Sequence, residues 1–252
     1  MRNKAFTLAE TLIVIGIIGV VAALTLPNLN HATGDKETVT RLMKAYSMIN
    51  EANDRAIATY GPVSEWSQEC RDDLNNCWLK RIGEFLKVSK SCNEAGDEDE
   101  GTYSSCESLA KGNMSYDSVI LQLADGMSIG SNGSCNYCDC GTWNNWNSNS
   151  EVNDLCLDEI KVDINGPTKG KNKDSYDVFH FGLSDRLGLI PRIDDGDIES
   201  DVSNCMNQSH RADECTWWVL EYGNLDYLKA DEDGKCNDSN IVLDGVNNTS
   251  CH

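Results

Sequence analysis

Cysteine is missing from the first 69 residues of this 252-residue chain, and charge is nearly missing from the first 34, which carry only Arg2, Lys4 and Glu10. Between Leu12 and Leu26 no charged side chain occurs at all. Proline is scarce, with four residues, and the 20 glycines are too few for a generally disordered chain. The nucleophile elbow GxSxG, the zinc helix HExxH, the phosphate-binding glycine loop and the dinucleotide fingerprint are all absent, so no enzymatic activity is expected.

What is there is unevenly placed. Beyond residue 34 stand 19 basic and 40 acidic side chains, within a total net charge of -20. That balance repels phosphate backbones and anionic lipid heads, so direct nucleic-acid binding is not expected. Twelve cysteines lie in the same region: Cys70, Cys77, Cys92, Cys106, Cys135, Cys138, Cys140, Cys156, Cys205, Cys215, Cys236 and Cys251. So many thiols in one chain fit a domain matured where disulfides persist. An even count permits six bridges without assigning their connectivity, and a metal site is the competing use of some thiolates.

The strongest signal is N-terminal. After the basic start Met1-Arg2-Asn3-Lys4-Ala5 comes Phe6-Thr7-Leu8-Ala9-Glu10, then the charge-free run, then Pro27. As helix, Phe6 to Leu26 spans roughly 30 Å, the hydrocarbon thickness of a bilayer. Arg2 and Lys4 favour a cytoplasmic N-terminus. Glu10 does not fit a plain anchor, because an ionised carboxylate in apolar surroundings costs a few kcal/mol unless paired. A freed α-amino group at Phe6 on a neighbouring helix would neutralise it and fix the register between the two. Without Glu10, an ordinary secretory signal cut after Val21-Ala22-Ala23, with the mature chain starting at Leu24, would explain the segment as well.

The residues Lys4 to Glu10, with the apolar run and Pro27, resemble the N-terminal signal of type IV pilins and type II secretion pseudopilins. The resemblance implies cleavage between Ala5 and Phe6 by a prepilin peptidase, methylation of the new amine on Phe6, and a filament-assembly role for Glu10. Ala5 departs from the family's usual glycine but remains small. The resemblance further implies a subunit held in the bacterial inner membrane, N-terminus cytoplasmic and C-terminal domain periplasmic, then extracted into a pilus or pseudopilus. Its partners would be other subunits, the peptidase, an inner-membrane assembly platform and membrane lipid. The alternative function is a secreted or membrane-anchored disulfide-rich binding domain.

Four segments are expected: a leader 1–5, a membrane or filament-core helix 6–27 with Pro27 as a kink, an amphipathic continuation 28–61, and a globular domain 62–252. Val39, Leu42, Met43, Tyr46, Ile49, Ala52, Ala56, Ile57 and Tyr60 recur at three- and four-residue steps, one stripe of a helix that Gly61-Pro62 stops. Cys70 to Lys90 reads as further helix, and two cysteines seven apart on one straight helix would be too distant to bridge. Ser118–Leu123 and Met127–Gly130 flank the hairpin turn Asp125-Gly126. Glu159–Ile164 and Asp177–Leu183 form a second expected strand pair, and 215–222 a late strand. The fold class is α+β, a long helix followed by a small antiparallel sheet, with cysteine-studded insertions at 93–105 and 131–150.

Asp163, Asn165, Asp174 and Asp177 supply oxygen ligands of the kind Ca²⁺ prefers, and the family resemblance includes calcium in some members. The spacing is not an EF-hand, since the twelfth position from Asp163 is Asp174 rather than Glu; the competing reading is a turn capping its own backbone. Cys135-x2-Cys138-x-Cys140 lacks partners to complete a tetrahedral zinc set. Strand alternation places His180 opposite Phe179 and Phe181, facing solvent, and sends Trp217 and Trp218 to opposite faces.

Overall fold

Three- and four-residue spacing of apolar side chains decides the first element. In the computed structural model, α1 (Leu8–Tyr60) is one helix of 53 residues that runs uninterrupted through Pro27. The structure describes residues 8–67, 70, 73–92, 120–131, 140, 155–191, 202, 204–206 and 215–252, excluding the side chains of 8–13, 16, 18–33 and 158. The chain divides into two compact units, Met1–Glu37 and Thr38–His252.

In the first unit the described side chains Val14, Ile15 and Ile17 are 52%, 62% and 59% exposed. Over its whole length α1 is not apolar, because charged residues recur from Asp35 to Arg55. Among the described residues no helix is long and apolar enough to cross a membrane. Most side chains of the charge-free run, including all from Ile18 to Leu26, lie outside the described residues.

In the second unit the stripe along α1 meets the core. Leu42, Ala45, Ile49, Ala52 and Ala56 are buried in one cluster with Ile129, Val162, Phe179 and Phe181, and Tyr46 stacks on Phe181 at 5.9 Å between ring centroids. Burying a side chain such as Leu42 or Ile49 stabilises by about 2 kcal/mol. Met43 and Tyr60 fall at the edge of that stripe and are exposed. Polar residues on the same face tie it down: Trp78 Nε1 donates to Asn53 Oδ1 at 2.9 Å, and Leu189 N to Asn50 Oδ1 at 2.8 Å.

Among the described residues six antiparallel strands follow in the order in which the chain makes them: β1 (Val88–Cys92), β2 (Ile120–Leu123), β3 (Ser128–Ser131), β4 (Leu155–Asp163), β5 (Val178–Ser184) and β6 (Gly188–Pro191). The expected β2–β3 hairpin forms at Asp125-Gly126, where Gly126 takes φ +95°, a value that glycine adopts without strain. Lys44 of α1 pairs with Asp125 in that turn at 2.6 Å. The expected β4–β5 pair forms too, and β4 starts earlier than expected, at Leu155. The coarse class is therefore α+β with an antiparallel sheet and disulfides.

Three expectations are corrected. The second helix, α2 (Leu74–Gly83), is shorter than expected, because residues 88–92 leave it to pair with β2. Asp73 caps α2 by accepting from Asn76 N, so Cys70 does not share one straight helix with Cys77; their Cα atoms come within 5.5 Å and they bridge. Residues 216–222 are not a strand but α3 (Thr216–Tyr222). Its β-prone composition yields to packing, since Thr216, Trp218 and Val219 are buried and Trp218 meets Tyr222 one turn on at 4.7 Å between centroids. Trp218 is thus interior and Trp217 half-buried, instead of lying on opposite faces of a strand.

The remaining described bridges are Cys140–Cys156, Cys205–Cys215 and Cys236–Cys251. Cys92 is also disulfide-bonded, and none of the described cysteines is free. Cys106, Cys135 and Cys138 lie outside the described residues, as do nearly all of the insertions 93–105 and 131–150.

Candidate functional site

Of the N-terminal candidates, Ala5 and Phe6 lie outside the described residues, while Glu10 and Pro27 are placed on α1 with their side chains outside the description. The other four candidates lie in and beside the segment that links β4 to β5.

Asp163 ends β4 fully buried. Its Oδ1 accepts from Asn165 N at 3.1 Å and Gly166 N at 2.8 Å, turning the chain out of the strand, as a short acidic side chain does when it caps its own backbone. Its Oδ2 is buried with no hydrogen-bond partner among the described residues. Burial pushes the Asp163 carboxyl up to about 6; the two backbone N–H groups oppose the shift and the charge of Asp177 adds to it. A raised carboxyl favours folding where it is protonated, and the contribution is lost as pH rises through about 6. Asp163→Asn keeps the Oδ1 acceptor and removes the titration. Relative to the parent it is expected to gain on the order of 2 kcal/mol in urea unfolding between pH 4 and pH 8; parallel stability curves for the two proteins would refute this.

Asp177, nearly buried, organises the other end of the loop. Its Oδ2 accepts from Lys171 N at 2.5 Å, Asn172 N at 3.0 Å and Asn165 Nδ2 at 3.3 Å, and its Oδ1 from Lys173 N at 2.8 Å. Gly170 closes against this carboxylate with φ +76°, where a Cβ would run into the Asp177 oxygen. Asp174 turns away and pairs with His180, Nε2 to Oδ1 at 2.7 Å.

His180 itself is a correction. Expected to face solvent, it is 2% exposed because every residue of β5 is covered on both faces. Its ring lies between Asp174 and Glu159, the latter 3.8 Å from Nδ1 and itself bonded to Lys161 at 3.0 Å, while its backbone N–H donates to Thr216 Oγ1. The sequence carried one sign of this, since His180 stands between two aromatic residues in a strand with no charged residue before Asp185. Which loop would cover the second face could not be read from it.

The four candidate calcium ligands are therefore neighbours in one loop without forming one ligand set. Asp177 is filled by four donors and Asp174 is committed to His180, whereas calcium takes six to eight oxygens. Of the four, Asp163 Oδ2 and Asn165 Oδ1 are buried with no partner among the described residues and are the oxygens left to a cation. The one trio of ligand-type groups that converges among the described residues is Cys140, Cys156 and Asp185, and its two sulfurs are joined in a disulfide. A groove of about 550 Å³ between α1, the turn before β1 and the β2–β3 turn is lined by Met48, Phe85, Leu86 and Leu123 under the Lys44–Asp125 pair. It holds no nucleophile–base pair. No protein-family model, curated protein or solved structure matches this chain.

Proposed function

We propose that the chain is a structural subunit of a filament of the type IV pilus or type II secretion kind. In this reading it is cut before Phe6, held in the inner membrane by residues 6–27, and assembled by bundling those helices with the disulfide-bonded domain outward. The carrying observation is the placement of Glu10 as the one ionisable residue between Phe6 and Pro27. Its ionic cost in lipid is met when a second subunit's freed amine neutralises it. Two features of the molecule support the reading. Val14, Ile15 and Ile17 project from α1 more than half exposed, as they would if lipid or other helices covered them in use. The amphipathic part of the same helix carries Leu42 to Ala56 into the core of the domain.

Mass spectrometry of the protein from its native membrane tests this directly. The expected mature N-terminus is methylated Phe6. A chain beginning at Leu24 would replace the filament with a secreted binding domain, and an intact Met1 with a plain anchor.

A further inference from the structure

We propose that the loop Pro167–Asp174 is a docking surface for a second copy of this chain, and that its three lysines take the acidic turn Asp231-Glu232-Asp233 of that copy. The inference rests on the filament reading and adds to it the contact between the outward-facing domains.

Lys169, Lys171 and Lys173 are all exposed and fall within five residues of a chain that has 40 acidic against 19 basic side chains beyond residue 34. Among the described residues none of the three forms an ion pair with a carboxylate. Lys171 Nζ lies 3.8 Å and Lys173 Nζ 4.8 Å from the centre of the Tyr176 ring. The two acids nearest in sequence are engaged elsewhere, Asp174 with His180 and Asp177 with backbone amides inside the loop. Three exposed lysine side chains that pair with no carboxylate among the described residues give the rim of the loop a positive sign on an acidic protein, which selects and orients an acidic partner.

The patch is also rigid. Asp177 holds the backbone amides of Lys171, Asn172 and Lys173, Asn172 Nδ2 donates to Pro167 O at 3.2 Å, and Tyr227 OH donates to Ser175 O at 2.5 Å. A loop fixed before it meets its partner loses less freedom on binding.

The acidic turn matches it in size, sign and rigidity. Asp231, Glu232 and Asp233 are exposed, and Asp231 Oδ1 accepts from Asp233 N and Lys235 N at 3.1 and 2.8 Å. The Cys236–Cys251 bridge fixes the chain just beyond. Copies this acidic repel one another, so assembly at high local density needs a positive surface to receive them.

The test uses full-length protein in filaments sheared from cells that make equal amounts of 14N- and 15N-labelled subunits. Zero-length carbodiimide cross-linking is expected to join Lys169, Lys171 or Lys173 to Asp231, Glu232 or Asp233 in peptides of mixed isotope. The triple reversal of the lysines to Glu is expected to lower filament yield at least tenfold with an unchanged melting temperature. Reversal of the three acids to Lys in the same chain is expected to recover at least half of it. If the Glu variant does not fold, the triple Lys→Gln variant is read instead, with a loss of at least threefold expected.

Filaments that form normally from the lysine variant, or cross-links confined to single-isotope peptides, would overturn the docking surface and leave the filament reading standing. So would normal assembly with lost retention on dextran sulfate, which would assign the loop to a foreign polyanion. Wild-type protein that never assembles would overturn both.

Discussion

Glu10→Ala is expected to insert in the membrane and lose its leader as the parent does, yet to yield at least tenfold less filament. On the proposed reading, insertion and cleavage depend on the apolar run and on residues up to Phe6, and removing a carboxylate makes insertion easier. Assembly is different. If the carboxylate of one subunit neutralises the freed amine of another in apolar surroundings, its removal leaves that amine unpaired, and breaking a buried pair in this way costs about 3–5 kcal/mol. Each 1.4 kcal/mol is a factor of ten in an equilibrium, so a tenfold loss is the least the charge pair predicts. Glu10→Gln keeps the shape and removes the charge, and should fail in the same way. The measurement is an immunoblot of the sheared filament fraction against the processed subunit in the membrane. Normal yield from either variant removes the proposed role of Glu10.

Asp177→Ala is expected to destabilise the folded domain by about 3 kcal/mol, because charge-assisted hydrogen bonds are worth about 1.5–3 kcal/mol each and water replaces part of what four donors lose. In a domain of this size that corresponds to a fall in melting temperature of roughly 6–12 °C. The comparison is made without reductant, so that the disulfides are the same in both proteins. Asp177→Asn should fall between the two, since it keeps one acceptor and turns a donor toward amides that need an acceptor. A loss below about 0.5 kcal/mol, the ordinary size of a surface substitution, would show that the loop does not depend on this carboxylate.

The contrast between these two residues marks what could be read from the sequence. Glu10 stood out because a charge in an apolar run is anomalous in one dimension. Asp177 stood out only as one of four oxygen-bearing side chains that either bind a cation or cap their own turn, and its capping role comes from three amides that face it once Gly170 turns the chain back. Local chemistry carried the stripe of α1 and the turn at Asp125-Gly126, each set by neighbours a few residues apart, and the strand composition of β4 and β5 carried their pairing across the loop between them. Residues 216–222 and His180 differ from expectation for one reason: their environment is set by side chains outside their own element. Trp218 packs on Tyr227 and His180 is covered by Asp174 and Glu159, so neither propensity nor alternation indicated what lay on the second face. Cys70 and Cys77 misled in another way, because the distance argument assumed one unbroken helix where Asp73 starts a new one.

The consecutive strand order bears on how such a molecule can be completed while its chain is still being made. Each strand of the sheet pairs with the one just before it, and the four described bridges join cysteines only 7, 16, 10 and 15 residues apart. Pairings this local demand little loop closure, and topologies built from them form quickly. Hydrogen-bonded edges and thiols are thus matched with partners that follow soon along the polypeptide, so that a half-made domain has few reasons to seize the wrong neighbour.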